Sequence, residues 1–158
     1  MYHAEQGAKV TAHYNTNFST LESLINEYGP TRIRAAQANL TVEQDVAKMF
    51  NAQSEALGPV QIIVVNHGYY RSEDVPLAQM SLEQWNETMN ANLTSSFLVL
   101  REYLKRLKIA SDAQKERAAV VLIGSTAGKY GEDSHADYAS SKSGKFSRKY
   151  AFSIFHPS

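Results

Sequence analysis

The chain has 158 residues, of which 43% are hydrophobic and 20% charged, with a formal net charge of zero and no cysteine. These values predict one soluble globular domain, exclude disulfides and cysteine-ligated metal, and leave no lysine or arginine run for nucleic acid or an anionic membrane. No apolar run approaches the length of a membrane span and the N-terminus lacks the apolar region of a signal peptide, so we expect a cytoplasmic protein.

The first half of the chain alternates strand and helix signals. A short strand is predicted at residues 8–13, a helix then runs to Gly29-Pro30, and a second strand follows at residues 32–38. Thr41-Val-Glu-Gln44 has the pattern of a capping box, in which two side chains bond backbone N–H groups at the start of a helix. The β-branched run at residues 61–65 predicts a strand of a parallel sheet that is covered on both faces.

The second half continues this alternation. Ser81-Leu-Glu-Gln84 is a second capping box, and the long helix that it opens extends to about Lys108. A charged linker, a strand at residues 118–123, a glycine-containing loop and a last helix follow. Strands that alternate with helices predict an α/β fold with a doubly wound parallel sheet.

The stretch after the strand at residues 118–123 carries the residues with the clearest chemistry. Ser125 follows this strand at its carboxyl end, the edge at which open α/β sheets bind ligands. Tyr138 and Lys142 are four residues apart, so a helix would place the phenol and the ammonium group on one face. A nearby ammonium favours the phenolate form, and such a phenol can exchange a proton with a substrate oxygen that the serine holds. Taken alone, the Tyr-x-x-x-Lys pair is also typical of a solvated helix face.

Two further motifs make the chain resemble the short-chain dehydrogenase/reductase family. The family's strand-end serine and Tyr-x-x-x-Lys are matched by Ser125, Tyr138 and Lys142, in that order. Its asparagine in the middle of a long helix is matched by Asn92. Its Asn-Asn-Ala-Gly turn is similar to Val65-Asn66-His67-Gly68, which differs at two places.

The resemblance implies a Rossmann-like oxidoreductase that transfers a hydride between NAD(P)(H) and a carbonyl or alcohol substrate. By the same resemblance Tyr138 is the general acid/base and Ser125 orients the substrate carbonyl. Lys142 favours the Tyr138 phenolate and bonds the nicotinamide ribose, and Asn92 holds a water that links Lys142 to solvent.

The resemblance also places a cofactor site. Its residues are Tyr14, Asn15, Asn39, Leu40, Asn66, Gly68, Tyr138 and Lys142. Asn39-Leu40 stands where the family commonly has Asp-Leu beside the adenine. Tyr14, followed by Asn15 and Thr16, stands where NAD-preferring members have an acidic residue that bonds the ribose. No carboxylate is present there to repel a 2′-phosphate, and no arginine is present to attract one. On the missing carboxylate, the sequence favours NADP over NAD.

Parts of the family's pattern have no counterpart in the chain. No Thr-Gly-x-x-x-Gly-x-Gly turn precedes Gly7, and the family's last strands are missing after Lys142. We therefore expect residues 1–158 to form a single partial domain, with a sheet that is incomplete between the strands at residues 8–13 and 61–65. The five histidines show no metal-ligand spacing, and His135 is predicted to be an exposed loop residue.

Three functions remain open from the sequence. The first is the oxidoreductase described above, acting on a small carbonyl or alcohol. The second is a truncated, non-catalytic protein that associates with a second copy or another partner through its two long helices, which form the dimer interface in the family. The third is a nucleotide-binding module without hydride transfer.

Overall fold

The computed structural model describes residues 7–144, which belong to two compact units, Met1–Val60 and Gln61–Ser158. The first unit contains strand β1 (Val10–Tyr14), helix α1 (Ser19–Tyr28), strand β2 (Ile33–Gln37) and helix α2 (Glu43–Leu57). β1 and β2 pair in parallel from Val10 opposite Ile33 to Tyr14 opposite Gln37. Ile33, Val46 and Phe50 are 3%, 1% and 4% exposed and form most of the core of this unit.

The capping box predicted at Thr41 is wrong. Helix α2 begins at Glu43 with Val42 at its N-cap, and no side chain caps it. The Oδ1 of Asn39 instead accepts hydrogen bonds from the backbone N–H of Thr41, at 3.1 Å, and from its hydroxyl, at 2.7 Å. An asparagine side chain that bonds the backbone two residues on competes with helix capping, and here it takes the threonine hydroxyl as well.

The second unit is built on another parallel pair of strands. Its elements are β3 (Ile62–Val65), a 3₁₀ turn (Leu77–Gln79), α3 (Leu82–Met89), a π-helical turn (Asn90–Thr94), α4 (Ser95–Lys108), α5 (Asp112–Lys115), β4 (Ala119–Leu122), α6 (Ala127–Tyr130) and α7 (Ala136–Gly144). β3 and β4 pair from Ile62 opposite Ala119 to Val65 opposite Leu122.

The long helix is one continuous element that contains a π turn. Ser81 caps α3 as predicted, because its Oγ accepts the backbone N–H of Gln84 at 3.1 Å. The Gln84 side chain does not complete the box but donates to Asp137 Oδ2 at 3.4 Å. Helix α4 ends at Lys108, as its apolar periodicity predicted.

The parallel ladders and the alternation of strands with helices confirm the predicted α/β class. Within the described residues β1 pairs only with β2 and β3 only with β4. The prediction that residues 61–65 are covered on both faces is wrong for this part of the chain, because Ile62 and Val64 are 55% and 49% exposed. What was predicted for the chain end lies partly in residues 145–158, outside the described residues.

Two kinds of feature are absent from residues 7–144. None of the helices there is long and apolar enough to cross a membrane. No cluster of three or more histidine, aspartate or glutamate side chains in that range has the arrangement of a metal site.

Candidate active site

Helix α7 brings Tyr138 and Lys142 together. The Nζ of Lys142 lies 5.5 Å from the centroid of the Tyr138 ring, so the four-residue spacing places both side chains on one face. Lys142 is 4% exposed, whereas Tyr138 is only half-buried. The cation is therefore held inside the unit, while the phenol ring retains access to the surface.

Asn92 is fully buried in the π turn and joins three segments. Its Oδ1 accepts the backbone N–H of Tyr69 at 2.5 Å, and its Nδ2 donates to the Tyr69 carbonyl and to Ser141 Oγ, both at 2.9 Å. The side chain thus fastens the segment after β3 to helix α7. Its backbone carbonyl accepts the hydroxyl of Ser96 at 2.6 Å.

Two glycines allow the backbone to approach Lys142. A Cβ at Gly68 would lie 2.9 Å from Lys142 Nζ and 3.5 Å from Asn92 Oδ1. A Cβ at Gly128 would lie 2.8 Å from the backbone carbonyl carbon of Lys142. Gly68 therefore borders the ammonium group itself, and Gly128 borders the helix that carries it.

Asp137 ties the start of helix α7 to helix α3. It is 2% exposed, and its Oδ2 accepts the hydroxyl of Thr88 at 2.6 Å. Its Oδ1 accepts the backbone N–H of Tyr138 at 2.8 Å, which satisfies one of the N–H groups that the first turn of a helix leaves free. The helix that bears Tyr138 is thus anchored next to that residue.

Ser125 and Asn66 follow neighbouring strands. β4 ends at Leu122 and β3 ends at Val65, and these two residues are paired. Ser125 and Asn66 therefore both come after the carboxyl ends of the paired strands. The Oγ of Ser125 accepts the backbone N–H of Ala127 at 3.2 Å, which fixes the turn into α6. Ser125 is half-buried and Asn66 is exposed.

His67 makes contacts that sequence reasoning missed. Its Nε2 lies 2.6 Å from Ser95 Oγ and 3.4 Å from Ser96 Oγ. Both serines are buried, and Ser95 donates to the Ala91 carbonyl at 2.7 Å. The sequence signal for this cluster was the pair of serines one turn after Asn92. A serine hydroxyl in a helix can bond the carbonyl four residues earlier.

The prediction that His135 is an exposed loop residue is wrong. The residue is 4% exposed and lies in the turn before α7. Its Nδ1 is 3.0 Å from the Asp133 carbonyl, and its Nε2 is 3.1 Å from the Arg71 carbonyl. The ring of Tyr70 stacks on it, with centroids 4.6 Å apart. Acidic neighbours in the sequence suggested exposure, but the partners of the ring are backbone oxygens, one of them 64 residues away.

The other predicted cofactor residues lie in the first unit. Tyr14 ends β1, and its ring is 5.3 Å from that of Phe18. Asn15 is exposed and its carbonyl accepts the Gln37 side chain at 3.0 Å. Leu40 is 9% exposed, next to the exposed Asn39.

Comparison with known proteins identifies the family. The fold is that of an α/β protein with parallel strands, and a family model described as short chain dehydrogenase matches residues 1–152. The chain belongs to the short-chain dehydrogenase/reductase family of oxidoreductases, as its motifs predicted.

Relatives and solved structures agree with this assignment. A short-chain type dehydrogenase/reductase of Picea abies is 36% identical over 112 residues, which are 66% of this chain and 41% of the relative. The 3-oxoacyl-[acyl-carrier-protein] reductase MabA of Mycobacterium avium is 33% identical over 116 residues, 73% of this chain and 42% of that protein. A crystal structure of a short chain dehydrogenase from Mycobacterium smegmatis superposes with a TM-score of 0.81 at 21% identity and covers 94% of this chain and 61% of its own. The chain thus spans about two fifths of the length of these two curated relatives.

Proposed function

We propose that the chain is the catalytic part of one NAD(P)-binding domain, formed by residues 1–158, that transfers a hydride between NAD(P)(H) and a carbonyl or alcohol substrate. The observation that carries this proposal is the buried ammonium of Lys142 beside the ring of Tyr138. A phenol that is held beside a buried cation and retains access to the surface is placed to exchange a proton with a substrate oxygen.

The other residues of the site have separate roles in this proposal. The bound dinucleotide would supply or accept the hydride, with Asn66, Gly68 and Lys142 beside it. Ser125 orients the substrate oxygen by a hydrogen bond. Tyr138 donates its proton to that oxygen during reduction and accepts it during oxidation. Supporting evidence for this arrangement is that Asn66 and Ser125 follow paired strand ends, at the edge where α/β sheets bind ligands.

Proton return to Tyr138 is assigned to Lys142 and Asn92. The Asn92 side-chain nitrogen donates to the Tyr69 carbonyl and to Ser141, and its side-chain oxygen accepts one hydrogen bond, from the Tyr69 N–H. An amide oxygen has two lone pairs, so one remains for a bridging water. We assign the water of the relay to Asn92.

Substitution of Tyr138 by phenylalanine tests the acid/base role. We expect Tyr138→Phe to lower turnover roughly 10²–10⁴-fold, because only the phenolic proton is lost, and to leave dinucleotide affinity within a factor of about two. Turnover is measured by the oxidation of NADPH with a 3-oxoacyl thioester, a substrate class suggested by the Mycobacterium avium relative. The matched control is Tyr130→Phe, which changes a tyrosine that is 75% exposed and should alter neither value. Retention of most turnover by Tyr138→Phe, or no turnover by the unsubstituted chain, contradicts the proposal.

For the cofactor we propose NADP(H) rather than NAD(H). The end of β1 offers Tyr14, Asn15 and Thr16, none of which carries a carboxylate that would repel a 2′-phosphate. We expect Tyr14→Asp to shift the ratio of kcat/KM toward NAD, since a carboxylate bonds the ribose hydroxyls and repels the phosphate. Kinetics with both dinucleotides measure this ratio, and an unchanged ratio would show that Tyr14 does not face the ribose.

A second candidate function is association through the long helices without catalysis. The observation in its favour is Phe97 on helix α4, which is 51% exposed and carries the Arg101 guanidinium 4.9 Å from its ring centroid. An exposed aromatic residue of this kind is common in protein interfaces. Measurement of NADPH turnover and of the oligomeric state separates the two functions.

A further inference from the structure

The contacts of the buried His135 side chain link a loop to the turn before helix α7. We name residues 69–75 the Tyr70 loop and residues 132–135 the His135 turn. We propose that His135 is a positioning residue that, in its imidazolium form, clamps the Tyr70 loop to the His135 turn and so places the ring of Tyr70 against Tyr138. The proposal rests on the proposed function only in the acid/base role it gives to Tyr138.

Both ring nitrogens of His135 lie at hydrogen-bond distance from a carbonyl oxygen. Nδ1 lies 3.0 Å from the carbonyl oxygen of Asp133, and Nε2 lies 3.1 Å from that of Arg71. A carbonyl oxygen only accepts hydrogen bonds, and a neutral imidazole has one N–H. Only the imidazolium can therefore donate at both positions. In the neutral ring one nitrogen lone pair would face a carbonyl oxygen at hydrogen-bond distance, in a residue that is 4% exposed.

The charges around the ring favour the protonated form. Asp74 Oδ1, on the Tyr70 loop, lies 3.8 Å from Nδ1, and Glu132 is on the His135 turn. The Asp133 carbonyl raises the pKa of His135, desolvation lowers it, and the Arg71 carbonyl, Glu132 and Asp74 raise it again, with a net increase.

Two other charged groups near His135 bond side chains other than His135. The Arg71 guanidinium, on the Tyr70 loop, faces Glu87 at 3.4 Å and Glu73 at 3.8 Å. Asp137, on helix α7, is bonded to Thr88.

The sign of the pH dependence follows from this direction. A group whose pKa is higher in the folded state stabilises the fold fully below its unfolded pKa, about 6.5 for histidine. That contribution is lost as the pH rises through the folded value. The clamp is therefore closed in mildly acidic solution and opens as the pH rises above the ordinary range of histidine.

The clamp determines the surroundings of Tyr138. The Tyr70 ring stacks on His135 with an interplanar angle of 12° and meets the Tyr138 ring edge-on, with centroids 4.9 Å apart and an angle of 87°. The Tyr70 hydroxyl donates to Glu132 at 3.1 Å. The Val75 N–H donates to the carbonyl of Ser134 at 3.0 Å. The Tyr70 loop is thus attached to the His135 turn at both of its ends, and Tyr70 forms one side of the space beside the proposed acid/base.

Nuclear magnetic resonance of the 158-residue chain tests the clamp without any turnover. The ring nitrogens of His135 are followed by long-range ¹H–¹⁵N correlation from pH about 5 to about 8, the range in which histidine titrates. The hydrogen-exchange protection factor of the Val75 amide is measured in the same samples. We expect both ring nitrogens to be protonated above the pH at which a free histidine is half-titrated. We also expect Val75 protection to fall roughly tenfold as His135 loses its proton, the effect of losing one charge-assisted hydrogen bond.

A pair of histidine variants makes the test specific. His135→Gln carries no charge and does not titrate, so Val75 protection should be low and independent of pH, and the Tyr138 ring resonances should shift. His13→Gln is the matched control, because His13 contacts one carbonyl, that of Ala38 at 2.8 Å, and should leave Val75 unchanged.

Two results overturn the proposal. One is a His135 that titrates like a free histidine in the unsubstituted chain, which decides the matter even if His135→Gln does not fold. The other is Val75 protection that stays constant through the titration. Either result leaves the Tyr138→Phe experiment unaffected, so failure of the clamp is distinct from failure of the proposed function.

Discussion

The side chain of Asn92 joins three parts of the second unit that are far apart in sequence. Its amide uses both its oxygen and its nitrogen on the backbone of Tyr69 and reaches Ser141 on helix α7. The resemblance predicted a functional role for Asn92. It did not predict these contacts, because Tyr69 and Ser141 are 23 and 49 residues away from Asn92 in the sequence. The spacing of Tyr138 and Lys142, in contrast, could be predicted, because it depends only on the local geometry of a helix.

Removal of the Asn92 amide should lower stability. Asn92→Ala leaves the N–H and the carbonyl of Tyr69 without their partner, and each buried polar group that loses its partner costs about 1–3 kcal/mol. We expect a lower urea midpoint in equilibrium unfolding monitored by circular dichroism. The control, Asn90→Ala, lies in the same π turn with an exposed side chain and should change the free energy of unfolding by less than about 0.5 kcal/mol. Equal midpoints for the two variants would contradict the structural role of Asn92.

At the scale of elements, the sequence predicted most helices and strands but predicted their first and last residues less well. The predicted ranges contain the strands at Ile33–Gln37, Ile62–Val65 and Ala119–Leu122, and the strand at Val10–Tyr14 extends one residue beyond its range. The last two of these strands in the chain are continuous apolar runs, which are the clearest strand signals. Helix α2 starts later than predicted because Asn39 took the Thr41 hydroxyl. Helix α5 was missed because it is four residues long, with the capping box of Ser111 as its only signal.

The π turn could not be predicted from the sequence, for a different reason. An apolar stripe with helical spacing runs from Leu82 to Leu104 whether or not one turn of the helix has an additional residue. The wider i→i+5 bonding of a π turn becomes evident only in the backbone. It coincides with Asn92, and the hydroxyls of Ser95 and Ser96 bond carbonyls of the turn. Such turns occur often at functional sites, which agrees with the role proposed for Asn92.

At the scale of the whole molecule, the described strands form two ladders of two strands each. A strand at the edge of such a ladder has backbone groups that no other strand pairs. The sequence predicted parallel strands from their alternation with helices. It did not predict the exposed face of the β3–β4 ladder, because a continuous apolar run does not show which of its faces is covered.

The exposed face of the β3–β4 ladder should cause association of the 158-residue chain. Ile62, Val64 and Val121 are 55%, 49% and 42% exposed and lie on one face of paired strands. Large exposed apolar surface of this kind favours association. We expect sedimentation velocity to show concentration-dependent oligomers, and the double variant Ile62→Thr, Val121→Thr to reduce them while it retains β-branched residues.

Two single variants complete this measurement. Ile109→Thr is the control, since Ile109 is 87% exposed outside the sheet and should not alter association. Phe97→Ser reports on the long helices, and a loss of oligomers in this variant alone would assign association to those helices instead. A chain that is monomeric at high concentration would contradict the role of the exposed sheet face.

The two glycines beside Lys142 have a consequence for the tolerance of the protein to random substitution. At Gly128 an added Cβ meets the backbone of Lys142, which cannot move without helix α7, so variants there are depleted from a library selected only for folded protein. At Gly68 the added atom meets Nζ, the end of a flexible side chain, which can turn away. Alanine at position 68 therefore persists in a library selected for abundance and disappears from one selected for catalysis. The frequency of alanine at position 68 in the two libraries thus measures how strongly catalysis depends on the position of the Lys142 ammonium group.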